Sequence, residues 1–303
     1  MKKNILIVTG GAGFVGANLI SLLVKKTNYR VISIDNYFSG NKKNHIKNKN
    51  VKYIIGDTKN ISNILKKYKK KINAVFHFGE FSRIAQSFKN FNVCLDSNIE
   101  GTNNVIKFCL KNKIKIIYSS TSASLGNDQT DQHLSPYAFT KSYNMNLIMN
   151  LNQWFNFKYE IIYFYNVYGK RHITKNNNMA AVVGIFENSY IQKKPLPVVR
   201  PGTQSRKFTN VIDTVKTCYY AYKKNKNSHY SISSNKHYKI KDLAKLFSKN
   251  IKFVPTRRGE RFESKLTKSI RGKKIINLKS NMSLEKYIKD FKKNIDKQNL
   301  KLK

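Results

Sequence analysis

Acidic residues are scarce in this chain. Its 303 residues include 16 aspartates and glutamates against 58 lysines and arginines, a formal net charge of +42. Such an imbalance attracts polyanions, whether nucleic acid, an acidic membrane or a phosphorylated small molecule. The lysines do not form one stripe, however. They fall in every loop and helix ("KKYKKK", "YKKNKNS", "FKKNIDKQNLKLK") and are interleaved with asparagine. Lysine and asparagine share A-rich codons, so compositional drift accounts for this surface. Any contact with nucleic acid is expected to be non-specific.

Cysteine is nearly absent. Cys94, Cys109 and Cys218 show neither CxxC nor metal-ligand spacing, which excludes a disulfide framework and fits a reducing compartment. The six histidines do not cluster, so no metal site is expected. Long hydrophobic runs are missing too: none reaches the roughly 20 residues that cross a bilayer. The opening "MKKNILIVTGGAGFVGANLISLLVKK" has a basic start and an apolar run, as a signal peptide would. Gly10, Gly11, Gly13 and Gly16 interrupt that run, and no small-residue cleavage site ends it. A soluble cytoplasmic protein without membrane contact is expected. Disorder is excluded in turn, because 40% of residues are hydrophobic and 12% aromatic, enough to build a core.

What is present is a rhythm. "NILIVT" (4–9), "RVISID" (30–35), "VKYIIG" (51–56), "NAVFHF" (73–78), "IKIIYSS" (114–120) and "YEIIYFY" (159–165) read as strands. Apolar residues at consecutive positions suit parallel strands buried on both faces. Between them, 14–26, 60–71, 96–112 and 136–155 read as helices. This alternation predicts an α/β fold with a doubly wound parallel sheet. After "NVYG" (166–169) the pattern loosens, and four of the five prolines fall at 195, 197, 201 and 255. A smaller, partly interleaved second region follows, ending in a basic amphipathic helix that begins near residue 284 and frays.

"IVTGGAGFVG" sets Gly10, Gly13 and Gly16 at the turn from the first strand to the first helix. Glycine there permits a tight turn and close approach of the backbone to a pyrophosphate, which the helix N-terminus then faces. The second strand ends in Asp35. A carboxylate at that place accepts hydrogen bonds from ribose hydroxyls and repels a 2′-phosphate, favouring NAD over NADP. Asp57, at the end of the third strand, either holds the adenine amino group or caps the following helix.

In "SPYAFTKSYN", Pro136 suits a first helical turn. Tyr137 and Lys141 then share a helix face. A nearby ammonium stabilises a phenolate and makes the phenol a usable base. Thr121, just past a strand end, sits where ligands gather in such sheets, and its hydroxyl could bind the oxygen that Tyr137 deprotonates.

The ordered set "TGGAGFVG", "DN" (35–36), "GD" (56–57), "VFHF" (75–78), "NIEGTNNVIKF" (98–108), "SSTSASLG", "SPYAFTK", "FYNVYG" (164–169), "RKFTNVIDTV" (206–215) and "RRGE" (257–260) resembles the extended short-chain dehydrogenase/reductase superfamily, in its nucleotide-sugar epimerase/dehydratase family. The match is nearest to UDP-glucose 4-epimerase-like members. It implies a Rossmann-type NAD-binding domain over residues 1–168, including Thr121, Tyr137 and Lys141 as the catalytic set. Residues 169–303 would mainly bind substrate. It further implies that Phe14, Val15, Asn36, Asp57, Thr58, Phe78, Gly79, Tyr137 and Lys141 join the glycines and Asp35 around NAD. Asn166, Arg206 and Arg257 (or Arg258) would grip a nucleotide diphosphate, as forked guanidinium groups do. A homodimer is also implied.

The resemblance also bears on the reaction. Dehydratases of this family carry an Asp-Glu pair directly after the catalytic threonine, whereas Ser122 and Ala123 stand here. That favours a 4-epimerase acting through a transient 4-keto sugar, with a dehydratase or reductase as the alternative. Three features depart from the family pattern. "HFGE" followed by "FSRIAQS" puts Glu80 and Arg83 beside the expected nicotinamide and sugar, where they either define an unusual substrate or pair with each other. The loop from Gly126 to Pro136 is short, and the basic C-terminal region matches poorly.

Overall fold

A computed structural model describes residues 3–172, 179–263 and 266–300. The chain builds β1 (Ile5–Thr9), β2 (Arg30–Asp35), β3 (Val51–Ile55), β4 (Ile72–His77), β5 (Lys115–Thr121) and β6 (Tyr159–Phe164). Three later strands, β7 (His229–Ser233), β8 (Ser269–Ile270) and β9 (Lys273–Lys279), join the same sheet. Its order is β8-β9-β7-β6-β5-β4-β1-β2-β3. All pairings are parallel except β8 with β9. Residues beyond 168 thus extend the sheet as well as forming the second region.

Both faces are covered, which is why β1 is buried at every position and apolar at all but Thr9. On one side α3 (Thr102–Lys111) and α4 (Pro136–Phe155) contribute Val105, Phe108, Met145 and Ile148 to the core. On the other, α1 (Phe14–Lys26) and α6 (Val211–Lys224) bring Leu19, Leu23, Val215 and Cys218. The short helix α2 (Phe91–Leu95) packs beside α4. A separate apolar cluster joins α5 (Val182–Ile191), α7 (Ile240–Phe247) and α8 (Leu284–Leu300) through Phe186, Phe247 and Ile288.

Strand order reverses at β1, which pairs with β2 on one side and β4 on the other. The carboxyl ends of those strands therefore splay apart into a crevice, the place where ligands bind in open parallel sheets.

Two helix predictions are corrected. The 60–71 segment forms one α-turn (Ile61–Ile64) between 3₁₀ turns at Thr58–Asn60 and Lys69–Lys71. Five lysines between 66 and 71 have no carboxylate in the segment to offset them, and like charges three and four apart oppose a helix. The 96–112 segment opens with a π turn (Asp96–Gly101) before α3. Among the described residues, no helix is long and apolar enough to cross a membrane, and no cluster of His, Cys, Asp and Glu could hold a metal.

Candidate active site

The crevice is a cleft of about 1350 Å³. Every residue singled out from the sequence as a site residue lines it. At its floor the β1–α1 turn is drawn close to the neighbouring backbone. A Cβ on Gly10, whose φ is +68°, would lie 2.7 Å from the Phe78 carbonyl oxygen, and one on Gly16 would lie 2.2 Å from the Gly10 oxygen. Only glycine fits this cradle, which suits a pyrophosphate. Phe14 and Val15 open the helix beyond it, Phe14 lying edge-on to His172.

Asp35, at the end of β2, accepts hydrogen bonds from the Ala12 N–H (2.9 Å) and the Tyr37 N–H (2.8 Å). Burial raises its pKa, and those amides oppose the rise. The Asp57 carboxylate caps the next turn by accepting from the Lys59 N–H at 2.9 Å, and it also accepts from the Asn36 amide at 2.9 Å. The cap reading therefore describes its contacts. Thr58 beside it is buried.

Phe78 and Gly79 form the wall opposite. Their N–H groups both donate to Thr9 Oγ1, at 3.1 and 3.0 Å. With its oxygen so occupied, the Thr9 hydroxyl donates to His77 Nδ1 at 2.7 Å. His77 Nε2 then carries the proton and faces Thr102 Oγ1 at 2.9 Å. Complete burial keeps this imidazole neutral, its pKa pushed down to about 4. His229, stacked on Tyr163 in the core, is also lowered to about 4. Both lie below the ordinary value of about 6.5, so the unfolded chain takes up protons that the folded chain refuses. Stability is therefore full above about pH 6.5 and lost as pH falls toward 4, on the order of 3 kcal/mol per histidine. A melting-temperature series over that range should fall steadily, and a flat series would contradict these buried neutral rings.

Thr121 ends β5, buried, and its Oγ1 accepts from the Ala123 N–H at 3.3 Å. Ser135 caps α4 by accepting from the Ala138 N–H at 3.1 Å, and Pro136 takes the first turn. That start sets Tyr137 half-buried against Phe81, Cys94 and Met179. One turn on, Lys141 is buried. Its ammonium pairs with Glu80, donates to the Ser119 carbonyl, and lies 4.9 Å from the Tyr118 ring centre.

Glu80 and Arg83 do not pair with each other, which corrects one of the two expectations for them. Glu80 turns inward to Lys141, while Arg83 donates to the Met179 and Ser82 carbonyls. Arg83 stays close enough to the Tyr137 phenol to interact with it electrostatically.

On the far side, Arg206 is nearly buried and pairs with Glu260 at 2.9 Å. Arg257 and Arg258 stand exposed at the cleft. The Asn166 amide donates to the Lys207 carbonyl at 2.9 Å. Sequence reasoning missed Arg261. Its Nε donates to Asp131 at 2.6 Å and its Nη atoms reach Ser122 Oγ and O at 3.1 and 3.2 Å. It lies one residue past the "RRGE" match, and no local signal marks it.

Residues 6–233 match the model of the NAD dependent epimerase/dehydratase family. The chain belongs to that family. It is 28% identical over 258 residues to a putative UDP-glucose 4-epimerase of Methanocaldococcus jannaschii, covering 82% of this chain and 83% of that one. It is 29% identical over 228 residues to a UDP-N-acetyl-alpha-D-glucosaminuronate decarboxylase of Bacillus cytotoxicus, covering 71% and 70%. In fold it is similar to a UDP-glucose 4-epimerase of Thermotoga maritima solved with UDP-glucose, with a TM-score of 0.84, 23% identity, and coverage of 99% and 100%. NAD is the family's cofactor, and the glycine cradle with Asp35 at its edge fits a dinucleotide.

Proposed function

We propose that this epimerase/dehydratase family member inverts C4 of a nucleoside-diphosphate sugar, a UDP-hexose or UDP-N-acetylhexosamine, through a transient 4-keto sugar. NAD, when bound, supplies a hydride acceptor that gives the hydride back. Tyr137 removes the C4 hydroxyl proton as general base, and Thr121 hydrogen-bonds the same oxygen. Lys141 supplies the positive charge that stabilises the phenolate. Residues 1–168 carry the cofactor, while the later residues, with Asn166, Arg206 and Arg257, mainly hold the sugar nucleotide.

The observation that carries this reading is that no acid directly follows Thr121. Ser122 and Ala123 follow it. Glu80, Asp131 and Glu260 are each ion-paired, to Lys141, Arg261 and Arg206. Elimination of water needs a group that shuttles a proton at the sugar's C5 or C6; epimerisation at C4 needs only the one base. Exposed Phe91 and Val93 on α2 beside Phe139 and Tyr143 on α4 support a homodimer through this face.

The test is incubation of the protein with NAD and a panel of UDP-sugars, read by NMR at C4. Interconversion of C4 epimers without net NADH is the expected result. A 4-keto-6-deoxy product would assign elimination instead.

A further inference from the structure

The acid at position 80 is more than a stray ion pair. Its side chain is 1% exposed, and a buried carboxylate is costly unless paired and hydrogen-bonded. Here donors converge on it from three elements. Lys141 pairs with Oε2, and Oε1 receives Tyr118 OH at 3.0 Å, Thr102 Oγ1 at 3.1 Å and Asn144 Nδ2 at 3.2 Å. Thr102 links it onward to His77 and so to the Thr9 hydroxyl that holds the Phe78–Gly79 wall.

The titratable neighbours do not dilute this charge. Burial holds the Tyr118 phenol well above its ordinary range and the Cys94 thiol up to about 11, so both are neutral. His77 is neutral as well. Tyr137 and Arg83 complete the set, Arg83 being the second cation near the phenol. Without Glu80, the end of the cleft would hold the two positive charges of Lys141 and Arg83. With it, the summed charge at that end is one unit lower while the ammonium stays in place.

We infer that Glu80 is a positioning residue of this site: it fixes the Lys141 ammonium at the end of β5 and offsets its charge, so that the oxidised cofactor is disfavoured less than it would be beside two uncompensated cations. The oxidised nicotinamide ring is cationic and the reduced ring is neutral. Removing the carboxylate while the ammonium stays adds one positive charge to this end of the cleft and therefore weakens binding of the first selectively. A site that must return its hydride every cycle benefits, because it rests with the cofactor oxidised. This rests on NAD lying in the cleft with its ring at the Glu80 end; it is independent of which sugar is bound.

The experiment measures dissociation constants of NAD and NADH for the parent, for Glu80→Gln, and for the double variant Glu80→Gln, Lys141→Met. No sugar is used, so a failed sugar panel and a failed inference are distinguishable. Glu80→Gln should lower the preference for NAD over NADH about tenfold relative to the parent. The double variant, with the charge sum restored, should return it to within about threefold of the parent, and it removes the buried pair together, the change such sites tolerate best. An NAD:NADH ratio unmoved in Glu80→Gln would overturn the inference and leave Glu80 only structural. A double variant as shifted as the single one would overturn it too.

Discussion

Replacing Tyr137 with phenylalanine is expected to lower kcat for C4 epimerisation about 10³-fold, the middle of the range contributed by a positioned general base. Binding of NAD and of the sugar nucleotide should persist, so the loss falls on kcat and not on KM. Stability should hardly change, for a structural reason. Among the described residues no hydrogen bond reaches the Tyr137 hydroxyl, and the ring's contacts with Phe81, Cys94 and Met179 survive the substitution. The Tyr137 N–H to Ser87 Oγ bond at 3.2 Å is also kept. Steady-state rates with NMR product analysis, beside a melting curve, check all three parts. Turnover at the parent rate would sink the assignment of the base.

The sheet's first six strands were legible because each is an apolar run between breakers, and burial on both faces leaves no other use for such a run. Helices α1 and α4 were legible to the residue, since Gly13 closes the cradle before one and Ser135-Pro136 opens the other. The 60–71 segment misled because its apolar residues have helical spacing while its lysines repel. Strands β7 and β9 were harder to read. "HYSIS" and "KKIINLK" mix polar and apolar residues; β7 is placed by pairing with β6 and packing against α6, and β9 by pairing with β7, not by their own pattern. The site divides in the same way. The glycine cradle, Asp35 and the Tyr137–Lys141 spacing are local, and spacing along the chain reveals them. The Glu80–Lys141 pair spans 61 positions and the Arg261–Asp131 pair spans 130. An odd residue can be noticed in a sequence, but its partner across the fold cannot.

That second pair leads to the largest expected effect on stability. Asp131→Ala should destabilise the protein by about 3–5 kcal/mol, because it leaves a buried guanidinium without its counter-charge. For a chain of this size, that corresponds to a melting temperature lower by roughly 10 °C. Arg261 and Asp131 are 5% and 2% exposed at their side chains, so solvent cannot take over the role. The loss should also reach the site. Arg261 holds Ser122 by its hydroxyl and carbonyl, next to Thr121, and its own carbonyl accepts from Arg206. Once Arg261 is unpaired, both the Thr121 hydroxyl and the Arg206 side chain lose their fixed surroundings, so kcat should fall and KM should rise together. Asp131→Asn keeps an acceptor without the charge and should cost less than alanine. Replacing both partners by apolar residues should recover part of the melting temperature but not the kinetics, since nothing then holds Ser122. Calorimetry and steady-state kinetics on the three variants separate these effects. A melting temperature unchanged in Asp131→Ala would show that the carboxylate is not what keeps Arg261 in place.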